Sequence, residues 1–305
     1  MLLRDTILFL SRQLELEEFL RSNPVARQAR DQLIAGETRG EAMAVAKALI
    51  QAGYKVTFDY LGQPPRSAEE AARTGAELTN LLQELASQGL EGGISVKPGH
   101  LGLRLDQQLA LRHLSTVVET AADHNRFVRV DMQEMDAVEQ VLGLVFQLAA
   151  RTGNIGTVVR SYLRRSEGDI EALNARKIPV RLVRGMGLEG SEGAFRTQEE
   201  ADLYFMRLVE TLMRDGHRPA IATHNPKLIE YAVDMAFIFG LNAGDFEFQL
   251  LYGFRRDLQA KLLADGHRVR IYLPYGPGWY DYFIRRIAER PASIWYLMQQ
   301  LRQKS

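Results

Sequence analysis

The chain has 305 residues, 46% of them hydrophobic, enough to bury a large core in one big domain or two modest ones. Lys+Arg and Asp+Glu balance at 38 each, so no net field draws the protein to nucleic acid or to an anionic membrane. Zero cysteines exclude disulfides, thiolate metal sites and thiol nucleophiles.

Met1-Leu-Leu-Arg-Asp5 places charge too early for a secretory signal, and the following Thr6-Ile-Leu-Phe-Leu10 reads as an amphipathic helix. No stretch approaches the roughly 20 apolar residues of a membrane span, so a cytoplasmic protein with at most peripheral membrane contact is expected. Residues 2–52 read as helices: Leu14 to Leu20, a break at Asn23-Pro24, then an Ala-rich run from Glu41 to Ala52 ended by Gly53. Beyond them the pattern changes to short β-rich runs, each followed by a longer helical stretch. Strands are predicted at Lys55–Asp59, Gly93–Lys97, Phe127–Asp131, Gly156–Arg160, Pro179–Val183, Ala220–Thr223, Phe246–Gln249 and Arg268–Tyr272. Eight β/α units in this length match a (β/α)8 barrel. The division expected is an N-terminal helical arm, 1–52, and a catalytic barrel, 53–305.

Nearly every predicted strand ends in a chemically capable residue: Asp59, Lys97, Asp131, Arg160, Arg184, Thr223-His224, Gln249 and Tyr272. In a barrel such ends converge on one mouth, where active sites form. Polar residues also simply mark where strands stop, but charges such as Lys97 and Asp131 directly after Ile-Ser-Val and Val-Arg-Val are costly unless paired or functional. Gly185-Met-Gly-Leu-Glu-Gly190 spells the dinucleotide fingerprint G-x-G-x-x-G, yet its helix starts only near Thr197 and the next strand lacks the acidic ribose partner. Of six histidines only His224 lies at a strand end, which speaks against a metal-dependent hydrolase. In the last predicted helix, Tyr282, Arg285, Arg286 and Glu289 share one face at i, i+3, i+4 and i+7, flanked by Trp279, Phe283, Ile284 and Ile287. This is either a solvated face with an Arg285/Glu289 pair, or a guanidinium fork suited to a carboxylate or phosphate.

Read together, Asp59-Tyr-Leu-Gly62, Ile94-Ser-Val-Lys97, Val130-Asp131, Val158-Val-Arg-Ser-Tyr-Leu-Arg-Arg165, Arg181-Leu-Val-Arg-Gly185, Ala222-Thr-His-Asn225, Glu247-Phe-Gln-Leu-Leu-Tyr-Gly253, Arg270-Ile-Tyr-Leu-Pro-Tyr-Gly276 and Tyr282-x-x-Arg-Arg-x-x-Glu289 resemble the proline dehydrogenase family of monofunctional bacterial type, from about residue 54 to 290. That resemblance implies a distorted (β/α)8, TIM-like barrel of the α/β class. It also implies FAD as cofactor and oxidation of L-proline to 1-pyrroline-5-carboxylate, with hydride passing to the flavin N5 and electrons going on to a quinone.

By the same resemblance Arg285, Arg286 and Lys97 hold the substrate carboxylate, while Tyr272, Tyr282 and Leu251 wall its ring. Asp131 and Arg181 occupy active-site positions, Arg181 near the flavin N5. Arg184, Gly185, Met186, Thr223, His224 and Asn225 contact FAD, with Met132, Arg160 and Glu289 at further cofactor positions. The chain departs from the family in three places: Arg160 replaces Gln, Arg184-Gly-Met-Gly187 replaces Lys-Gly-Ala-Tyr, and Gln63 replaces Glu. Two alternatives follow from these departures: a related flavoenzyme acting on another cyclic or secondary amino acid, and a flavin-free carboxylate-binding homologue.

Overall fold

Eight parallel strands close into a barrel in chain order, β1 pairing with β8 along Lys55–Tyr60 and Arg270–Tyr275. The computed structural model describes residues 14–132, 135–185, 193–195 and 197–289. The strands are β1 Lys55–Tyr60, β2 Gly93–Val96, β3 Val128–Val130, β4 Ile155–Arg160, β5 Val180–Val183, β6 Ala220–Ala222, β7 Glu247–Leu251 and β8 Val269–Tyr275. Each matches a predicted run to within one to three residues. β8 runs furthest beyond its predicted end, through Pro274 and Tyr275. Its pairing with β7 stops at Leu251–Tyr272, so Pro274 lies beside β1 alone, an edge position that tolerates proline.

The helices in chain order are α1 Leu14–Ser22, α2 Pro24–Asp31, α3 Arg39–Gln51, α4 Ala68–Ser87, α5 Gln107–Asp123, α6 Val138–Ala149, α7 Ser166–Asn174, α8 Gln198–Asp215, α9 Pro226–Ile238, α10 Arg256–Ala264 and α11 Trp279–Glu289. Local chemistry sets several of their starts. Thr38 and Thr197 cap α3 and α8 in capping boxes with Glu41 and Glu200, and Ser67, Asp106 and Asn225 cap α4, α5 and α9.

Val56, Phe58, Ile94, Val128, Leu182, Ile221, Phe248 and Ile271 are fully buried in the apolar core cluster shared with the helices. The alternate strand positions are polar: Thr57, Asp59, Ser95, Arg129, Arg181, Glu247 and Gln249 are all buried. Hydrogen bonds between strands that are not neighbours, β5 to β2 and β7, and β8 to the residue after β3, cross the lumen. The inside of this barrel is therefore a charge network rather than the layers of Val, Ile and Leu common in the fold.

The segment ahead of the barrel is tied to its last elements. Ala35 N donates to Pro274 O (2.8 Å) and Gly276 N to Gly36 O (3.0 Å). Leu33 and Ile34 join Leu61, Phe254, Trp279, Tyr280, Phe283 and Ile284 in a second apolar cluster that buries one face of α11. Arg21 and Arg30, from α1 and α2, lie 5.1 and 5.2 Å from the Trp279 ring. α3 packs on β1 and β8, with Ala42, Met43 and Ala46 buried in the main core.

Candidate active site

Arg181, in the middle of β5 and only 4% exposed, is the hub of the lumen. Its Nη1 donates to Ser95 Oγ (3.2 Å) and Gln249 Oε1 (3.1 Å), and its Nη2 pairs with Asp131 Oδ1. The guanidinium also lies 5.0 Å from the Tyr272 ring. Asp131 completes a three-residue arrangement by accepting from the Tyr272 hydroxyl on Oδ2 at 2.9 Å. Burial and the adjoining Asp131 carboxylate push the Tyr272 hydroxyl well above the usual tyrosine range, so it stays a donor. Behind Arg181, Gln249 Nε2 donates to Glu247 Oε1 (2.5 Å), and Glu247 holds Arg270 through both oxygens (2.7 and 2.9 Å).

Lys97 follows β2 and forms an ion pair with Asp59, the next-to-last residue of β1 and 1% exposed. Burial lowers Lys97 to about 8; Asp131 opposes this, while Arg181, Arg286 and Arg285 reinforce it. Those last two names place the arginines of α11 within electrostatic reach of the mouth. On α11, Arg285 is exposed, and Arg286 is half-buried with its guanidinium 5.1 Å from the Tyr282 ring. The opposite face of the helix, Trp279, Phe283 and Ile284, faces the second cluster. The polar stripe read from the sequence is thus one side of an amphipathic helix whose other side is anchored. Gln63, where the family has Glu, donates to Asp281 Oδ2 (3.2 Å) in the first turn of this helix.

The residues expected around the flavin occupy the ends of β3 to β6. Met132 is 5% exposed after β3. Arg160, closing β4, donates to the Tyr162 hydroxyl (2.9 Å). The same Tyr162 ring lies under Gly185, where φ is +65° and an added Cβ would come within 2.6 Å of it, so only glycine fits. Arg184 is turned to α8, pairing with Asp202 and donating to Gln198 Oε1 (2.8 Å). Thr223 is buried, and its hydroxyl accepts from Asn225 N (3.2 Å). His224 Nε2 accepts from Leu251 N (3.1 Å), which fixes a neutral tautomer with its proton on Nδ1 and ties the ends of β6 and β7 together. Met186 and the Glu289 side chain fall outside the described residues.

Two partners, Ser95 and Glu247, were not singled out in the sequence, and Gln249 was named there only as a strand end. Their signal is the strand period of two, since Ser95 stands two before Lys97, and Glu247 and Gln249 stand four and two before Leu251. Among the described residues, no group of three or more His, Asp or Glu side chains converges as a metal site.

A family model described as Proline dehydrogenase matches residues 42–293. The chain belongs to the proline dehydrogenase family. Within it, Proline dehydrogenase 1 of Bacillus subtilis is 34% identical over 303 residues, 99% of this chain and 100% of the relative. The proline dehydrogenase of Deinococcus radiodurans is 32% identical over 274 residues, 88% of each chain. Proline utilization A from Bdellovibrio bacteriovorus, solved after inactivation by N-propargylglycine, aligns with a TM-score of 0.80 at 22% identity over 86% of this chain and 32% of that one. The protein of that name from Corynebacterium freiburgense gives 0.75 at 18% identity over 97% and 34%. At such identities the structural likeness concerns the fold.

Proposed function

We propose that this chain oxidises L-proline to 1-pyrroline-5-carboxylate, with FAD as the flavin and a quinone as the onward electron acceptor. The observation that carries the reading is Asp131 bridging Arg181 and Tyr272 across the lumen, beside Lys97 and below the arginines of α11. The whole-length similarity to proline dehydrogenases supports it. No helix among the described residues is long and apolar enough to cross a membrane. We place the reaction in the cytoplasm, with at most peripheral contact with the membrane that holds the quinone. Residues 1–52 serve as the arm and 53–305 as the flavin-binding barrel.

The residues present fit a flavin. Arg181 Nε is buried without a hydrogen-bond partner among the described residues, a donor available to a ring that gains negative charge on reduction. Gly185 offers bare backbone at the end of β5, and α9 begins directly after Thr223, His224 and Asn225, presenting the positive end of a 13-residue helix to a diphosphate. Arg160 and Met132 close the same side; Arg184, committed to α8, acts by holding the β5 loop rather than by direct contact.

When bound, FAD supplies the acceptor, at N5, for the hydride that leaves the proline ring carbon next to nitrogen. The chain's own groups do the rest. Arg285, Arg286 and Lys97 take the carboxylate, while Tyr272, Tyr282 and Leu251 wall the ring. An ammonium has no lone pair to drive hydride departure, so the nitrogen must be a free amine. Lys97, Arg181, Arg285 and Arg286 together disfavour a further positive charge and help release that proton. Asp131 keeps Arg181 and the Tyr272 hydroxyl in place.

The test is the purified protein's visible spectrum: a flavin band that bleaches anaerobically with L-proline, with 1-pyrroline-5-carboxylate as product and turnover restored by a quinone. A flavin-free or proline-insensitive preparation would overturn the reading, and bleaching only by another cyclic secondary amino acid would reassign the substrate.

A further inference from the structure

The N-terminal end of the barrel, opposite the mouth, carries an unbalanced charge. A cavity of about 50 Å³ there is lined by buried Arg129 and Glu247, half-buried Arg270, and exposed Arg218, Asp245 and Arg268. Both acids are engaged. Glu247 takes Arg270 and Gln249, and Asp245 accepts from Asn242 N (2.7 Å) and Nδ2 (3.1 Å) in its own loop.

Arg129 is the unmatched member. It is 5% exposed, its Nη1 donates only to the carbonyls of Thr157 (3.2 Å) and Pro179 (2.6 Å), and its Nε is buried without a hydrogen-bond partner. Among the described residues no carboxylate lies within ion-pairing distance of it, and a buried guanidinium without a counter-charge is costly. Burial and Arg181 push it down to about 9, with Glu247 opposing at longer range and Arg270 reinforcing. The place is nonetheless built for it. Gly156 is its register partner on β4, where an added Cβ would come within 2.7 Å of Arg129 Nη1 and 2.4 Å of Pro179 O. Arg129 and Arg218 also lie 4.8 and 6.0 Å from the same Phe127 ring, and both line the cavity.

We infer that this cavity is a binding site for one small inorganic anion of chloride size, held by Arg129 and closed over by Arg218 and Arg268. A water needs only about 10–15 Å³ of such space, so the volume accommodates a monatomic anion. The bound charge would stand beside Glu247, Gln249 and Arg181 itself, which also line the cavity.

Crystals grown with bromide in place of chloride should show an anomalous peak between Arg129 and the rim arginines. In solution, replacing gluconate with chloride at fixed ionic strength should raise the melting temperature saturably. The exposed double variant Arg218→Ala/Arg268→Ala leaves the α11 arginines intact and should raise the half-saturating chloride concentration about tenfold, equivalent to about 1.4 kcal/mol. Arg129→Met, which replaces the buried charge with an apolar chain, should abolish the response; if it fails to fold, the rim variant decides alone. Water without bromide in the cavity, or an identical chloride response in wild type and rim variant, would overturn the assignment.

Discussion

Asp131→Asn is the sharpest probe of the lumen network, because the replacement keeps size and shape while removing the only carboxylate paired with Arg181 among the described residues. Arg181 and Asp131 have side-chain exposures of 5% and 12%, so water cannot compensate for the loss. Breaking a buried pair from one side costs about 3–5 kcal/mol. Arg181 retains Ser95, Gln249 and the Tyr272 ring, so the lower end, about 3 kcal/mol, applies. Glu247 cannot step in, since Arg270 and Gln249 hold its oxygens. At about 2–4 °C per kcal/mol for chains of this order, the melting temperature should fall by roughly 6–12 °C. Tyr272→Phe removes one hydrogen bond to a charged group, about 1.5–3 kcal/mol, and leaves the ion pair, so it should melt above Asp131→Asn. Thermal unfolding at saturating FAD, with kcat/KM for proline on the same samples, measures both. If Asn at 131 changes neither melting temperature nor kcat/KM, the network does not organise the site.

Arg286→Met should raise KM for proline about tenfold or more without changing flavin content, because a lost charge-assisted contact costs about 1.5–3 kcal/mol; an unchanged KM would move the carboxylate elsewhere. Binding of a cyclic carboxylate that lacks the amine should weaken as pH rises, since Lys97, lowered to about 8, holds such an anion only while protonated. Asp131 helps retain that proton, and the loss sets in around pH 8; pH-independent inhibition constants between pH 6 and 9 would exclude Lys97 from the contact. Gly185→Ala should reduce flavin occupancy, read from the visible-to-ultraviolet absorbance ratio, because the new methyl meets the Tyr162 ring at 2.6 Å; full occupancy would show that the loop relaxes.

The barrel is legible in the sequence because buried parallel strands must be short apolar runs between long amphipathic helices, and eight such units are present. The strand-end rule likewise brings Asp59, Lys97, Asp131 and Tyr272 to one place. Partner choice is what the sequence hides. Arg184 and Arg181 stand three apart near the end of one strand, yet only Arg181 points into the lumen, while Arg184 turns to the acid and amide of α8. Strand alternation already sends residues three apart to opposite faces, but the partner Arg184 finds there lies on a helix 14 or more residues downstream, which a linear motif does not carry. Gln63 is similar: it meets Asp281, far away in sequence, and not the arginine that the family's Glu suggested.

The clamp between the first and last helices bears on how the protein is made. Arg21 reaches the Pro277 carbonyl across 256 positions of chain and stacks on Trp279. A growing chain can close early β/α units while still on the ribosome, but contacts 256 positions apart wait until α11 has been made. The helix that bears Arg285 and Arg286 is therefore gripped by residues made long before it. A chain clipped ahead of α11 would keep its eight strands and lose the helix proposed to seat the carboxylate, so that site is complete only once α1 and α11 have met.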